Sequence, residues 1–309
     1  FRDTCCISVD KKLFNNLNNE KNSNILKDKI AAIGEISEIN AYNVIDHKNY
    51  RTQLIEIIGT NKKALNVYLD YAIPLNFQQE IRFSNAEAEN YSKFLSNHLP
   101  DLIILTHSHN DHCQNLLESA NRSQHSYIIL STKSTLDYLF LRKVLAQNCN
   151  DNGLNFDKFL ERALIISQNE ELRFENLHIR IMPSGHALGA VSVLLSIQNT
   201  NILYTSDFHE ESLSPVIGFS ENLSWLKDIS INFAIIDGTN KDKNPMKLSE
   251  AFTIMIEEIM KCINSHGSYA IATEMGRLAI QTYFSLYKFF KNELKWDYPI
   301  FLEPRMVQL

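Results

Sequence analysis

The stretch Leu102-Ile103-Ile104-Leu105-Thr106-His107-Ser108-His109-Asn110-Asp111-His112-Cys113 runs four apolar residues straight into His-x-His-x-Asp-His. An apolar run this short suits a fully buried strand. On extended backbone His107 and His109, two apart, project to the same side. Asp111 and His112 follow where the chain is expected to turn into a helix. Three imidazoles and a carboxylate within six residues are costly to bury without partners. A metal ion removes that cost, because neutral imidazole and carboxylate are zinc ligands. The competing reading is a polar loop with exposed histidines. Against it, the chain has ten His, and three of them fall in this hexapeptide at the mouth of an apolar strand.

Further ligands are expected at other strand ends. Ser184-Gly185-His186-Ala187-Leu188-Gly189 follows an expected strand over Leu177 to Met182. Its glycines permit a tight backbone approach around His186. Tyr204-Thr205-Ser206-Asp207-Phe208 ends another strand, and Asp207 is a carboxylate able to bridge two metals. Asp70 ends a strand over Ala64 to Leu69, and Asp237 one over Phe233 to Ile236. Asp237 reads equally as a catalytic acid and as a cap for the loop after it. His209 reads as a solvent-facing loop residue, with a site-lining role as the alternative. His47, His98, His125, His178 and His266 lack ligand spacing. Cys113 is a ligand or a small apolar packing residue, and its expected helical position favours packing.

The bulk of the chain is ordinary. At 309 residues, 44% hydrophobic and 21% charged, it has room for one large domain or two modest ones. No apolar run approaches a membrane span. No N-terminal segment reads as a signal peptide, and the five Cys are odd in number without zinc-ribbon spacing. Reduced thiols and a cytoplasmic setting are the expectation. A net charge of −6 does not advertise a nucleic-acid binder, though a whole-chain figure can hide a local basic patch.

Residues 1–30 are polar and Asn-rich and read as a surface insertion or a short helical arm. Beyond them come expected strands over Ile39 to Ile45 and Leu54 to Ile58, the latter turning at Gly59-Thr60-Asn61. Ser84-Asn85-Ala86-Glu87 is a capping box opening a helix to about Asn97. Strands and helices then alternate through Ile236. Hairpins mixed with strand-helix units imply two central sheets with helices outside, an α/β sandwich. Past Asn240 the pattern becomes helix Ser249 to Asn264, strand Ser268 to Thr273, helix Glu274 to Leu294 and strand Pro299 to Leu302. That places a catalytic domain at 1–239 and the start of a second α/β unit at 240–309.

His-x-His-x-Asp-His after a hydrophobic strand resembles the metallo-β-lactamase fold hydrolases. Gly185-His186-Ala187-Leu188-Gly189 is similar to the Gly-His-x-Leu-Gly of the β-CASP nucleases, a subfamily that includes ribonuclease J and the pre-mRNA 3′-end cleavage endonuclease. Thr205-Ser206-Asp207-Phe208 resembles their Thr-Gly-Asp-Phe. Phe233-Ala234-Ile235-Ile236-Asp237-Gly238-Thr239 resembles the strand and acid that open their cap, and Gly276-Arg277 with Gln281 resembles a cap helix. The resemblance implies an αββα sandwich carrying the start of a β-CASP cap. It implies two Zn²⁺ ions, one on His107, His109 and His186, the other on Asp111 and His112, with Asp207 shared. Asp70 is implied as an anchor behind the ligands. The family's last His ligand has no counterpart before Leu309.

The function expected from this is a zinc-dependent phosphodiesterase cleaving RNA, or single-stranded DNA. Asp111 is expected to orient or deprotonate the water, and Asp237 to help protonate the leaving oxygen. The partners expected are a single-stranded nucleic acid and a second polypeptide or a further C-terminal segment completing the site. The alternatives are a thioester or lactone hydrolase on the same fold, and a degenerate nuclease kept as a scaffold.

Overall fold

Sheet one is built on the apolar run at its centre. The computed structural model describes residues 19–47, 50–146, 156–239, 246–272, 278–295 and 300–301. Strands β1 (Ile36–His47), β2 (Tyr50–Gly59), β3 (Ala64–Leu69), β4 (Leu102–Ile104), β5 (Ile128–Ser131) and β6 (Ala163–Ile165) lie side by side in that order. The first three form an antiparallel meander. From β3 onwards the pairs are parallel, with Leu102 opposite both Val67 and Ile128. Parallel neighbours need crossovers. The helices Asn85–Asn97, Leu116–Arg122 and Lys133–Ala146 lie within these connections. The Ser84 capping box forms as its sequence implies.

The second sheet runs β11 (Phe233–Ile235), β10 (Thr200–Tyr204), β9 (Val191–Ile197), β8 (Leu177–Pro183), β7 (Glu171–Arg173). It is antiparallel apart from the β10–β11 pair. Leu102 and Ile104 project into the core shared by the two sheets, with Val67, Leu130, Ile181 and Val193. Ile103 and Leu105 project the other way, among Leu116, Leu136, Leu139 and Phe140 of the covering helices. Both faces of β4 are therefore dry, which is why four consecutive apolar residues are needed there.

At the N-terminal end, residues 19–33 form a helix (Asn19–Ile33). Its Leu26, Ile30 and Ile33 recur at helical spacing and enter the inter-sheet core. Asn22 donates to the carbonyls of Glu161 and Ala163, at 3.1 and 2.7 Å, and ties the helix to the start of β6. The part of the expected polar arm before Asn19, with Cys5 and Cys6, lies outside the described residues.

The C-terminal unit differs from its expected form. The helices Leu248–Asn264 and Leu278–Tyr287 are present, the second continued by a π-helical turn over Lys288–Glu293. They pack through Ile256, Ile259, Leu286 and Phe290. Residues 268–272 and 300–301, within the two expected strands, are not paired into a sheet. A lone extended segment has no ladder partner to satisfy its backbone, so β-prone sequence there does not suffice. Gly276-Arg277 lies outside the described residues. No helix among the described residues is long and apolar enough to cross a membrane.

Candidate metal centre

Three strand ends of the two sheets meet at one edge of the sandwich. β4 delivers His107 and His109, β8 delivers His186 through its following loop, and β10 delivers Asp207. The imidazoles of His107, His109 and His186 form a nearly equilateral triangle, with ring centroids 4.7, 4.7 and 4.8 Å apart. Each pair meets edge to face, at 77°, 74° and 82°. His186 Nε2 is 3.0 Å from His109 Nδ1. Asp207 Oδ2 lies 3.6 Å from His186 Nε2 and 4.0 Å from His107 Nε2. Two ligands on a tetrahedral zinc are separated by roughly 3.3 Å, from bond lengths near 2.0 Å. The four side chains thus converge as ligands of one ion do.

The loop after β8 is shaped by its glycines. Gly185 has φ +77°, and a Cβ there would sit 2.2 Å from the carbonyl oxygen of His209. Gly189 has φ +78°, and its Cβ would meet Ser134 and Thr132 below 3 Å. The first glycine lets the His186 loop and the Asp207–His209 loop touch, which brings two ligands together. Gly185→Ala should push those loops apart. We expect at least a tenfold loss of metal affinity, by analogy with disrupted ligand support, measurable by calorimetric titration.

Asp111 and His112 sit on a single helical turn, Asn110–Cys113, directly after β4. His112 Nε2 is 3.4 Å from Asp207 Oδ1 and 3.5 Å from Asp111 Oδ2. These three form a second group of potential ligands. Behind them lies Asp70, fully buried at the end of β3 with φ +60°. Its carboxylate accepts from Thr106 N (2.8 Å), Thr106 Oγ1 (2.8 Å), Tyr204 Oη (2.8 Å) and His112 Nδ1 (2.7 Å). Thr106 Oγ1 is also 2.7 Å from Ser206 Oγ and 3.1 Å from His107 Nδ1. Asp70 thereby orients His112 directly and His107 through Thr106, the anchoring the sequence resemblance implies. Ser206, which stands where the resembled pattern has Gly, adopts φ +53° and adds the hydroxyl to this network.

The charges here are strongly coupled. Burial presses the His107 imidazole well below its ordinary range, and the neighbouring His112, His186 and His109 add to this. His112 shares that burial, but the carboxylates of Asp70 and Asp207 outweigh it and hold it up at about 10. Burial alone would raise Asp207; His112, then His186 and Arg51, hold it well below the carboxylate range instead. The Nε2 atoms of His107 and His112 are buried without a hydrogen-bond partner. For His107 in particular, a lone pair kept neutral and unpaired in the interior is what a metal ligand requires.

One functional-site residue has no motif in the sequence. Arg51, near the start of β2, reaches into the cluster: Nη1 is 2.8 Å from Asp207 Oδ1 and 3.8 Å from Asp237 Oδ1, and Nε is 3.3 Å from Asp111 Oδ2. It opens the polar stretch Arg51-Thr52-Gln53 ahead of Leu54 to Ile58, and only the strand's alternation relative to buried Tyr50 and Thr52 hints that it faces Asp207. Asp237 accepts from Thr239 N (3.0 Å) and Oγ1 (2.6 Å), so it caps its own loop while standing beside Arg51. His209 Nδ1 accepts from Glu211 N within its loop and is not among the converging ligands. Cys113 is fully buried, with its thiol toward the carbonyls of Ser108 and His109, and packs in the helix-side core.

A family model described as a beta-lactamase superfamily domain matches residues 82–272, more than half of the chain, and the match spans all six converging residues from His107 to Asp207 as well as Asp237. The chain belongs to the metallo-β-lactamase superfamily. No curated protein matches it. Among solved structures, a protein of unknown function from Enterococcus faecalis V583 is similar at 13% identity with a TM-score of 0.46, over 68% of this chain and 54% of that one. The chain thus spans little more than half the length of that relative. The superfamily match and the His/Asp cluster able to hold a metal ion fall in the same stretch of the chain.

Proposed function

We propose that the protein is a metal-dependent phosphodiesterase that cleaves single-stranded nucleic acid, RNA in the first place. The observation that carries this reading is the placing of the ligand cluster between two openings. On one side a cavity of about 70 Å³ is lined by His107, His109, Ser134, Tyr138, Leu188 and Ile280. On the other, a cavity of about 290 Å³ is lined by Arg51, Gln53, His112, Asp207, Asp237 and Thr239. A chain-like substrate crossing the cluster meets both, and Ile280 of the C-terminal unit then lies beside it. The likeness of Gly185–Gly189 and Thr205–Phe208 to nuclease motifs supports the same substrate class.

His107, His109, His186 and Asp207 would hold the ion, and the buried His107 Nε2, without a hydrogen-bond partner on an imidazole pressed below its ordinary range, fits one. When bound there, a divalent ion supplies Lewis acidity and brings the pKa of a coordinated water to about 7. Asp111, partly exposed beside the ligands, would orient a water there and accept its proton. Asp237 is held by Thr239 at the rim, where a leaving oxygen takes up a proton. His112, pinned by Asp70, keeps Asp207 in position. Arg51 offers N–H groups to a substrate oxyanion entering from its side.

The test is direct. End-labelled single-stranded RNA, the matching DNA, a thioester panel and a lactone panel are incubated with the protein. RNA cleavage abolished by a chelator and restored by Zn²⁺ is the expected result. Thioester or lactone turnover with intact RNA would overturn the nuclease reading while leaving the superfamily assignment in place.

A further inference from the structure

A second ion does not fit the residues that the sequence motif offers it. Its ligands would be Asp111, His112 and Asp207, and the two carboxylate oxygens that face that position are Asp111 Oδ2 and Asp207 Oδ1. Arg51 holds those same two atoms, from Nε at 3.3 Å and Nη1 at 2.8 Å. We propose that Arg51 is the resident second cation of this centre, so that the protein takes a single divalent ion, on His107, His109, His186 and Asp207. This rests on the metal-centre reading above and not on the choice of substrate.

Several observations converge on it. The guanidinium is anchored at more than one point, with Asp237 Oδ1 at 3.8 Å and Thr239 Oγ1 at 3.4 Å completing its surroundings. Its backbone pairs with Asp46 of β1, and the next residue, Thr52, exchanges hydrogen bonds with Ala72 in both directions, at 3.0 and 3.2 Å. The charge also balances: one divalent ion and one guanidinium match the carboxylates of Asp111, Asp207 and Asp237. A further divalent ion would add two charges beside a guanidinium that cannot be deprotonated. Of the three protein ligands open to that ion, Asp207 is shared with the first ion and both carboxylates are already held by Arg51, and no other His, Cys, Asp or Glu among the described residues joins the group. An arginine is well suited to the place because its planar fork can meet two carboxylates at once.

Metal content decides the matter. The full chain is saturated with Zn²⁺, desalted and analysed by plasma mass spectrometry, alongside Arg51→Gln, Arg51→Lys and the double variant Arg51→Gln/Asp111→Asn. The expected result is about one ion per chain in the native protein, about two in Arg51→Gln, and about one in both the lysine and the double variants. Cobalt substitution gives a second readout that needs no variant: isolated high-spin Co²⁺ in the native protein, against a spin-coupled pair if two ions sit together. Two ions or a coupled signal in the native protein would overturn the proposal, as would a single ion in folded Arg51→Gln. No ion in any of the proteins would overturn the metal centre itself, and the proposal with it.

Discussion

His186→Ala should abolish both bound metal and hydrolysis while leaving the fold intact. The side chain is buried at the loop after β8, but its work is at the cluster: Nε2 stands 3.0 Å from His109 and 3.6 Å from Asp207. Removing it takes away one of the four converging ligands and leaves two imidazoles and a carboxylate placed for a four-ligand site. Changes in groups that merely support a ligand cost 10 to 100-fold in metal affinity, so loss of a direct ligand should exceed about 100-fold. The apoprotein should not suffer in the same way. An alanine relieves the crowding of three imidazoles and removes one of the neighbours that, after burial itself, press His107 down. We therefore expect metal per chain to fall to background and catalysis to vanish, with an unchanged far-UV spectrum. A variant that keeps its metal and its rate would show that His186 is a bystander.

Asp70→Ala is expected to give the largest loss of stability of any single change at the site. Asp70 is fully buried and so is its partner His112, at 1% exposure. Breaking one half of such a pair strands the other, which costs about 3 to 5 kcal/mol. Tyr204 and Thr106 lose their acceptor as well. At roughly 2 to 4 °C per kcal/mol for a chain of this class, the melting temperature should drop by about 10 °C. The pH dependence carries the same signal. In metal-free protein the folded-state pKa of His112 lies at about 10, above its ordinary 6.5. A raised pKa in the folded state means that this contribution is complete below about 6.5 and fades as pH climbs through 10. The apoprotein should accordingly lose stability between pH 7 and 10, and Asp70→Ala should flatten that slope. An unaltered slope in the variant would place the titration elsewhere.

The site was more legible than its surroundings. His107, His109, Asp111 and His112 stand together because a buried strand ending in ligands leaves a local pattern, and His186 and Asp207 are marked by glycine-flanked or strand-end positions. From the residues alone Asp70 was legible as a strand-end acid, and only the resemblance implied an anchor; how it holds the site depends on Thr106, His112 and Tyr204, which lie 36, 42 and 134 residues away. Arg51 carried no motif, and only the alternation of its strand hinted at its direction. A lone basic residue at a strand start looks like a solvated edge until the sheet register aims it at Asp207. Around the site, the parallel strands were readable from apolar runs dry on both faces. The three-residue strand Glu171–Arg173 was not, being partly exposed and without an apolar run. The expected strand Ser268 to Thr273 shows the reverse error: β-prone composition with no sheet edge beside it among the described residues.

The most direct test of the central claim is an anomalous difference map from crystals grown with Zn²⁺, collected on either side of the zinc edge. The account predicts a strong peak enclosed by His107 Nε2, His109 Nδ1, His186 Nε2 and Asp207 Oδ2. A map empty at that point, with zinc bound elsewhere or nowhere, would contradict it.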